Sequence, residues 1–296
     1  YGTPTNGISI PVLLNNIANP DLKWETTEQL NFGLDFSVLD ERISGTIDVY
    51  DKTTKDLLQN IPIPTSSGYS NILINKGNIS NKGVELGLNF DVISNDDMEL
   101  SIGGNIAFNR TKIESIGVPA DDFYINGVAE QRSFFFGNNI SRGQIFQSPA
   151  NVFVEGEESS LFYGFETDGI YQTEDVSTDG IGDNGVTDVQ AGDIRIVDQD
   201  GDGEITTNDR TIIGNPNPDF VYGGNLNISY KRLSLNVLVN GVYGNQIANG
   251  NLIGMGTAFG SATNILTDAY ENAWRADAQS NTYPRIGYDK EFQAVA

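Results

Sequence analysis

Twelve consecutive residues carry the chain's sharpest chemical pattern: Asp198-Gln199-Asp200-Gly201-Asp202-Gly203-Glu204-Ile205-Thr206-Thr207-Asn208-Asp209. Calcium takes six to eight hard oxygen ligands, and a twelve-residue loop supplies them from positions 1, 3, 5, 7, 9 and 12. Here these are the carboxylates of Asp198, Asp200 and Asp202, the main-chain carbonyl of Glu204, Thr206 directly or through water, and Asp209. Gly203 occupies position 6, where the loop turns sharply, and Ile205 at position 8 is placed to anchor the loop in a core. Three clustered carboxylates repel one another unless a cation sits among them. The spacing therefore predicts a Ca2+ loop, with Asp at position 12 serving as a one-oxygen ligand. A second acidic stretch, Asp179-Gly180-Ile181-Gly182-Asp183-Asn184-Gly185, fits no ligand template and reads as a flexible turn.

Composition removes other chemistries. The chain has 17 Lys+Arg against 40 Asp+Glu, a net charge of -23, with no His and no Cys. Without His there is no His-assisted triad, no imidazole base and no His-liganded zinc. Without Cys there are no disulfides and no thiol catalysis. The acidic balance offers no footprint for nucleic acid. Asp and Glu are too abundant here for any pair of them to single out a glycosidase, so the chain is read as no enzyme. It opens at Tyr1 with neither an initiator Met nor a basic leader, as a mature or excised segment would.

The elements that must position the loop are strands of period 2, which send alternate side chains to opposite faces. Leu30, Phe32, Leu34, Phe36 and Val38 alternate with Asn31, Gly33, Asp35 and Ser37. The pattern resumes after Asp40-Glu41-Arg42 with Ile43, Gly45, Ile47 and Val49. It returns in Val84, Leu86, Leu88, Phe90 and Val92, then in Met98, Leu100, Ile102, Ile106 and Phe108. A third copy runs through Tyr222, Gly224, Leu226, Ile228 and Tyr230, and then Leu233, Leu235, Val237 and Val239. Hairpins at about 29–53, 83–109 and 219–243 follow, each closed by a turn of a few residues.

Between the hairpins lie long connections, 54–82, 110–218 and 244–296, all on the same end of the strands. Short turns at one end and long loops at the other are the asymmetry of an outer-membrane barrel. Phe36, Phe90 and Tyr230 near the short turns, with Phe32, Phe108 and Tyr222 nearer the loops, suit interfacial aromatic girdles. A soluble sandwich also alternates, so a secreted, calcium-dependent carbohydrate-binding or adhesin β-domain stands as the alternative.

Within the long loop, Phe123, Tyr124, Phe134, Phe135, Phe136, Phe146, Phe162, Tyr163, Phe165 and Tyr171 are expected to build a small core of the loop's own, ahead of stacking on a ligand. The triple Phe134-Phe135-Phe136 cannot hide on one face of a strand. Residues 263–276 read as a short helix capped by Asn264 or Thr263, with Trp274 packing.

Four ordered blocks resemble one family. NPDLKWETTEQLNFGLDFSVLDERISGTIDVYDKTTKDLL (19–58), NKGNISNKGVELGLNFDVI (75–93), the run from Gly192 to Asn245 and ENAWRADAQSNTYPRI (271–286) are similar to the SusC/RagA-like TonB-dependent transporters of Bacteroidetes outer membranes. The resemblance implies an all-β fold, antiparallel up-and-down strands from a 22-stranded outer-membrane β-barrel with long extracellular loops. It implies a C-terminal portion of that barrel, with the plug domain, the TonB box and the last strands, expected after Phe292–Ala296, absent. It further implies nutrient import of oligosaccharide or peptide, a SusD-like surface lipoprotein as partner, TonB engaged through the missing N-terminal part, and outer-membrane lipid around the wall. Asn31, Asp35, Glu85, Asn89, Asp91, Asn105, Asn225 and Asn227 would then face a hydrated lumen.

Overall fold

A computed structural model describes residues 16–17, 19–62, 69, 71–137, 149–249 and 264–286. Phe146, Thr263 and Phe292–Ala296 of the sequence expectations lie outside the described residues.

Along the chain, the short β1 (Asn16–Ile17) precedes a long hairpin, β2 (Thr26–Val38) and β3 (Ile43–Lys55). Two short strands, β4 (Leu58–Pro62) and β5 (Asn71–Asn75), lead to the longest hairpin, β6 (Asn78–Ser94) and β7 (Met98–Ser115). Eight small strands follow: β8 (Asp121–Ile125), β9 (Val128–Arg132), β10 (Phe134–Phe136), β11 (Asn151–Val154), β12 (Leu161–Phe165), β13 (Thr167–Ile170), β14 (Ile194–Ile196) and β15 (Arg210–Gly214). The hairpin β16 (Phe220–Tyr230) and β17 (Leu233–Tyr243) and a five-residue helix α1 (Thr267–Glu271) complete the described elements.

The long hairpins join edge to edge into one antiparallel six-stranded sheet, in the order β17-β16-β7-β6-β3-β2. Neighbours in space are neighbours in the order of the long strands, which is an up-and-down wall. Register lines apolar positions up across the strands: Leu34, Ile47, Leu86, Ile106 and Tyr222 form one row, and Val38, Ile43, Phe90, Ile102, Leu226 and Val237 another. The polar rows lie on the other face, such as Asp35, Thr46, Gly87 and Asn105, or Ser44, Asn89, Gly103 and Asn225. One β-bulge between Asp91 and Ile93 breaks the expected alternation: Ile93, not Val92, stands opposite Leu100.

At three glycines of the wall, an aromatic ring from the residue directly opposite covers the gap. Phe36 faces Gly45, Tyr50 faces Gly83 and Tyr222 faces Gly241. A Cβ added at Gly45 would stand 2.5 Å from the Phe36 ring, so the glycine is the space into which the ring lies.

Among the described residues, nothing covers the apolar face. In the central strands, flanked on both sides, Leu88, Ile102 and Phe108 remain 41%, 45% and 42% exposed. Among the described residues, every buried hydrophobic side chain is at Ile113 or beyond, and none belongs to the apolar rows of the wall. A sandwich would bury such rows against a second sheet; a wall facing lipid leaves them bare. From Met98 to Phe108 the apolar rows of β7 span ten residues, about 33 Å of strand, or about 25 Å of depth at a tilt of about 40°. That matches the apolar band of an outer-membrane barrel.

The core of the described structure sits in the long connection between β7 and β16. A four-stranded sheet in the order β10-β11-β12-β15 packs Val152, Val154, Leu161 and Tyr163 with Phe123 of the β8–β9 hairpin. Phe123 stacks on Tyr163 at 4.8 Å between ring centres and meets Phe134 at 5.0 Å. The Phe134–Phe136 triple is divided as its alternation demands. Phe134 and Phe136 meet edge to face on one side, while Phe135 stacks on Phe153 on the other. The connection is thus a folded lobe, as the sequence expected of its aromatics.

The short helix differs from its expectation. It spans Thr267–Glu271, with Leu266 at the cap and no side chain capping it, instead of starting at Asn264. Tertiary contacts hold this segment in place of a cap. Trp274 packs on Gly192 and donates its indole N–H to Gln172 Oε1 at 3.0 Å, and Arg285 pairs at 2.6 Å with Asp193, which is 1% exposed.

Candidate functional site in the lobe

The acidic loop leaves β14 and ends at β15, so two strands fix its ends. Asp198, Asp200 and Asp202 each bring a carboxylate oxygen within 4.8 Å of the others. The backbone prepares this convergence. Asp198 accepts from Gly201 N at 2.7 Å and from Gly203 N at 2.8 Å, Asp200 accepts from Asp202 N at 3.2 Å, and Asp202 accepts from Glu204 N at 2.7 Å. Gly203 takes φ +84°, the left-handed conformation that its position requires. Three hard, anionic oxygens in a prefolded turn suit a divalent cation.

The other half of the loop is organised differently. Thr206 and Asp209 form a capping box around the one-turn helix Thr207–Asp209: the Thr206 hydroxyl accepts from Asn208 N, and Asp209 Oδ2 accepts from Thr206 N at 2.7 Å. The second oxygen of Asp209 accepts from Gln199 N at 2.8 Å. Asp209 is fully buried, and burial raises its pKa above the ordinary carboxylate range despite these N–H donors. The structure therefore gathers Asp198, Asp200 and Asp202, leaves Glu204 exposed, and uses Thr206 and Asp209 to close the loop. Ile205 packs against Tyr171, Val186 and Val189, the anchoring expected of position 8.

The Asp179–Gly185 stretch is a braced turn instead of a free one. Asn184 accepts from the Tyr171 hydroxyl at 3.0 Å, Asp183 pairs with Arg195 at 2.8 Å, and Thr187 N donates to Gly203 O at 3.0 Å, tying the turn to the acidic loop. Between them opens a cavity of about 460 Å³ lined by Asp168, Asn184, Arg195, Asp198 and Asp202. Sequence spacing could not show this neighbour, because the Tyr171–Asn184 and Thr187–Gly203 contacts are set by tertiary packing.

On the wall, the polar face presents Asn31, Asp35, Glu85, Asn89, Asp91, Asn105, Asn225 and Asn227 together, as register requires. Arg110 joins wall to lobe, donating to Pro218 O at 3.0 Å and Asp219 at 2.9 Å, with Glu158 at 3.5 Å.

A two-faced, up-and-down wall with a bare apolar band and a folded lobe at one end defines a segment of an outer-membrane β-barrel. Residues 1–241 match the family described as TonB dependent receptor-like, beta-barrel, and the chain belongs to that family. It is 34% identical over 275 residues to TonB-dependent receptor P3 of Formosa agariphila, covering 93% of this chain and 25% of that protein. It is 28% identical over 215 residues to TonB-dependent receptor SusC of Bacteroides thetaiotaomicron, covering 72% of this chain and 19% of that protein. Among solved structures, the RagAB peptide transporter has the same fold, with a TM-score of 0.66 and 24% identity over 94% of this chain and 28% of that one. The chain thus spans about a quarter of the length of the relatives it matches. These relatives are receptors and transporters, not enzymes. Membership decides between the two folds that alternation left open, in favour of the barrel wall.

Proposed function

We propose that this chain forms part of the wall and one external lobe of a TonB-dependent nutrient importer, which takes up oligosaccharides or peptides with a SusD-like surface lipoprotein as its lid. The observation that carries this reading is the wall register, which sorts apolar rows to one face and carboxamides and carboxylates to the other. The lobe faces outward from the cell, because barrels of this kind keep their short turns on the periplasmic side. TonB acts through parts of the full-length protein beyond this chain. Similarity to SusC and the fold shared with the RagAB peptide transporter support the importer class and a lipoprotein partner. The test is growth of cells lacking the full-length protein on oligosaccharides and on peptides as sole nutrients. Selective loss of growth on one class supports import, and unimpaired growth on every oligosaccharide and peptide overturns it.

The acidic loop, in this reading, holds a structural Ca2+ through Asp198, Asp200 and Asp202, with Glu204, Thr206 and Asp209 completing or closing the site. A cation at a hundredfold excess over its dissociation constant stabilises the fold by about 2.7 kcal/mol. Calorimetric titration of the full-length protein should show binding that Asp200→Asn abolishes. A titration with no heat and no change in melting temperature removes calcium from the account.

A further inference from the structure

The outward face of the wall changes chemistry within a single row. Phe32, Val49, Val84 and Phe108 form the uppermost wholly apolar row. The next row on the same face is Leu30, Asp51, Lys82 and Arg110, and the one beyond it is Glu28, Thr53, Ser80 and Lys112. Successive rows stand about 5 Å apart in depth at a tilt of about 40°, so these cations lie just above the hydrocarbon boundary. They lie on the face opposite the lumen, where Arg110 and Lys112 border the lobe at Glu158.

The chain has only 17 basic residues against 40 acidic ones, yet three cations occupy adjoining positions there on two neighbouring strands. Lys82 and Arg110 are directly opposite each other, a pairing of like charges that costs stability unless an anion lies between them. Arg110 is committed to Pro218, Asp219 and Glu158. Lys82 shares one exposed ion pair with Asp51 at 2.8 Å, and such exposed pairs are weak. Lys112 is exposed and makes no ion pair among the described residues. Glu114, on the same face, is turned to the Ser80 hydroxyl at 2.6 Å, and Glu28 to Lys55 at 2.8 Å.

We propose that Lys82 and Lys112, beside the fixed guanidinium of Arg110, seat the phosphorylated headgroup of an outer-leaflet glycolipid whose acyl chains run down the apolar rows below Val84 and Phe108. Charge complementarity selects phosphate, and continuity with the bare apolar band selects a lipid over a free anion. The proposal rests on the barrel-wall reading and adds a specific lipid contact to it.

The test uses the full-length protein in a non-ionic detergent, titrated with diphosphoryl lipid A and with the same lipid after removal of its phosphates, with bound lipid counted by native mass spectrometry. The protein should retain the diphosphoryl form and not the dephosphorylated one. At about 1 kcal/mol for each basic side chain near a membrane surface, Lys82→Gln with Lys112→Gln should weaken retention by about thirtyfold. Lys231→Gln with Arg232→Gln, in the short turn at the opposite end, should leave it unchanged. Equal retention of the two lipids, or undiminished retention by the Lys82/Lys112 variant, overturns the proposal. A full-length protein without the heat-shifted mobility of a folded barrel overturns the wall reading itself, so the two failures are distinguishable.

Discussion

Arginine scanning down β6 tests the wall by depth. Val84 stands level with Phe108 at the top of the apolar band, Leu86 pairs with Ile106, and Leu88 pairs with Gly104, four residues below Phe108. Four residues are about 13 Å of strand, or about 10 Å of depth at a tilt of about 40°, which puts Leu88 within about 3 Å of the middle of a 25 Å band. Leu86 lies about 5 Å below the upper edge by the same arithmetic. A charge facing lipid costs about 2–4 kcal/mol at the midplane and about 0–1 kcal/mol near the interface. Leu88→Arg should therefore cost about 2–4 kcal/mol, Leu86→Arg an intermediate amount and Val84→Arg less than about 1 kcal/mol. Asn89→Arg, on the opposite face one residue further, should cost little because that face meets water. The assay is urea titration of the full-length protein in lipid vesicles, followed by heat-shifted gel mobility. A flat series, or a larger cost at Asn89 than at Leu88, would refute the assignment of the apolar face to lipid.

Three further outcomes follow from the lobe and from the glycine sockets. Arg285→Ala leaves buried Asp193 without its cation, at a cost of about 3–5 kcal/mol to the lobe, whereas Arg285→Ala with Asp193→Ala should recover most of it by limited proteolysis and melting. Gly83→Ala forces the Tyr50 ring from its socket and breaks the Tyr50 hydroxyl's bond to Asn109 (3.0 Å); it should cost about 1–3 kcal/mol, and less when Tyr50 is already Ala. Burial pushes the Tyr163 hydroxyl up from 10.0 to about 12, so between these values the unfolded chain is ionised while the native one keeps its proton. Stability of the lobe is then undiminished below pH 10.0 and falls as pH rises towards about 12, and Tyr163→Phe should flatten that slope in an ultraviolet difference titration.

The wall was legible in the sequence because its two faces meet different solvents. Period-2 alternation encodes a bare apolar face directly, and Leu34, Leu86 and Tyr222 needed no knowledge of their neighbours to be placed on it. Alternation also ends where one bulge adds a residue, which is why Val92 read as outward and Ile93 took that place. The strands run past the apolar stretch, to Lys55 and Ser115, on polar residues whose ladder is set by neighbouring strands. In the lobe the signal is weaker for a physical reason. Its strands are three to five residues long and its core is assembled from distant pieces, Phe123 with Tyr163 and Gly192 with Trp274, so composition announced a core without giving its pairing.

The acidic loop shows the limit of spacing in its own terms. A twelve-residue template counts a carboxylate at position 12 wherever it points, and Asp209 satisfies the count while both of its oxygens accept backbone N–H groups. Each carboxylate oxygen offers two lone pairs, so an N–H bond does not by itself exclude a metal, but it fixes the orientation from which the carboxylate must work. Asp209 holds Gln199 and Thr206 at the two ends of the loop, and through them it sets where Asp200 and Asp202 converge. Asn cannot accept at both positions, because its amide nitrogen only donates. Asp209→Asn thus perturbs the frame of the loop, and Asp200→Asn perturbs only its charge. A cation that depends on both residues equally is held by geometry as much as by the number of carboxylates.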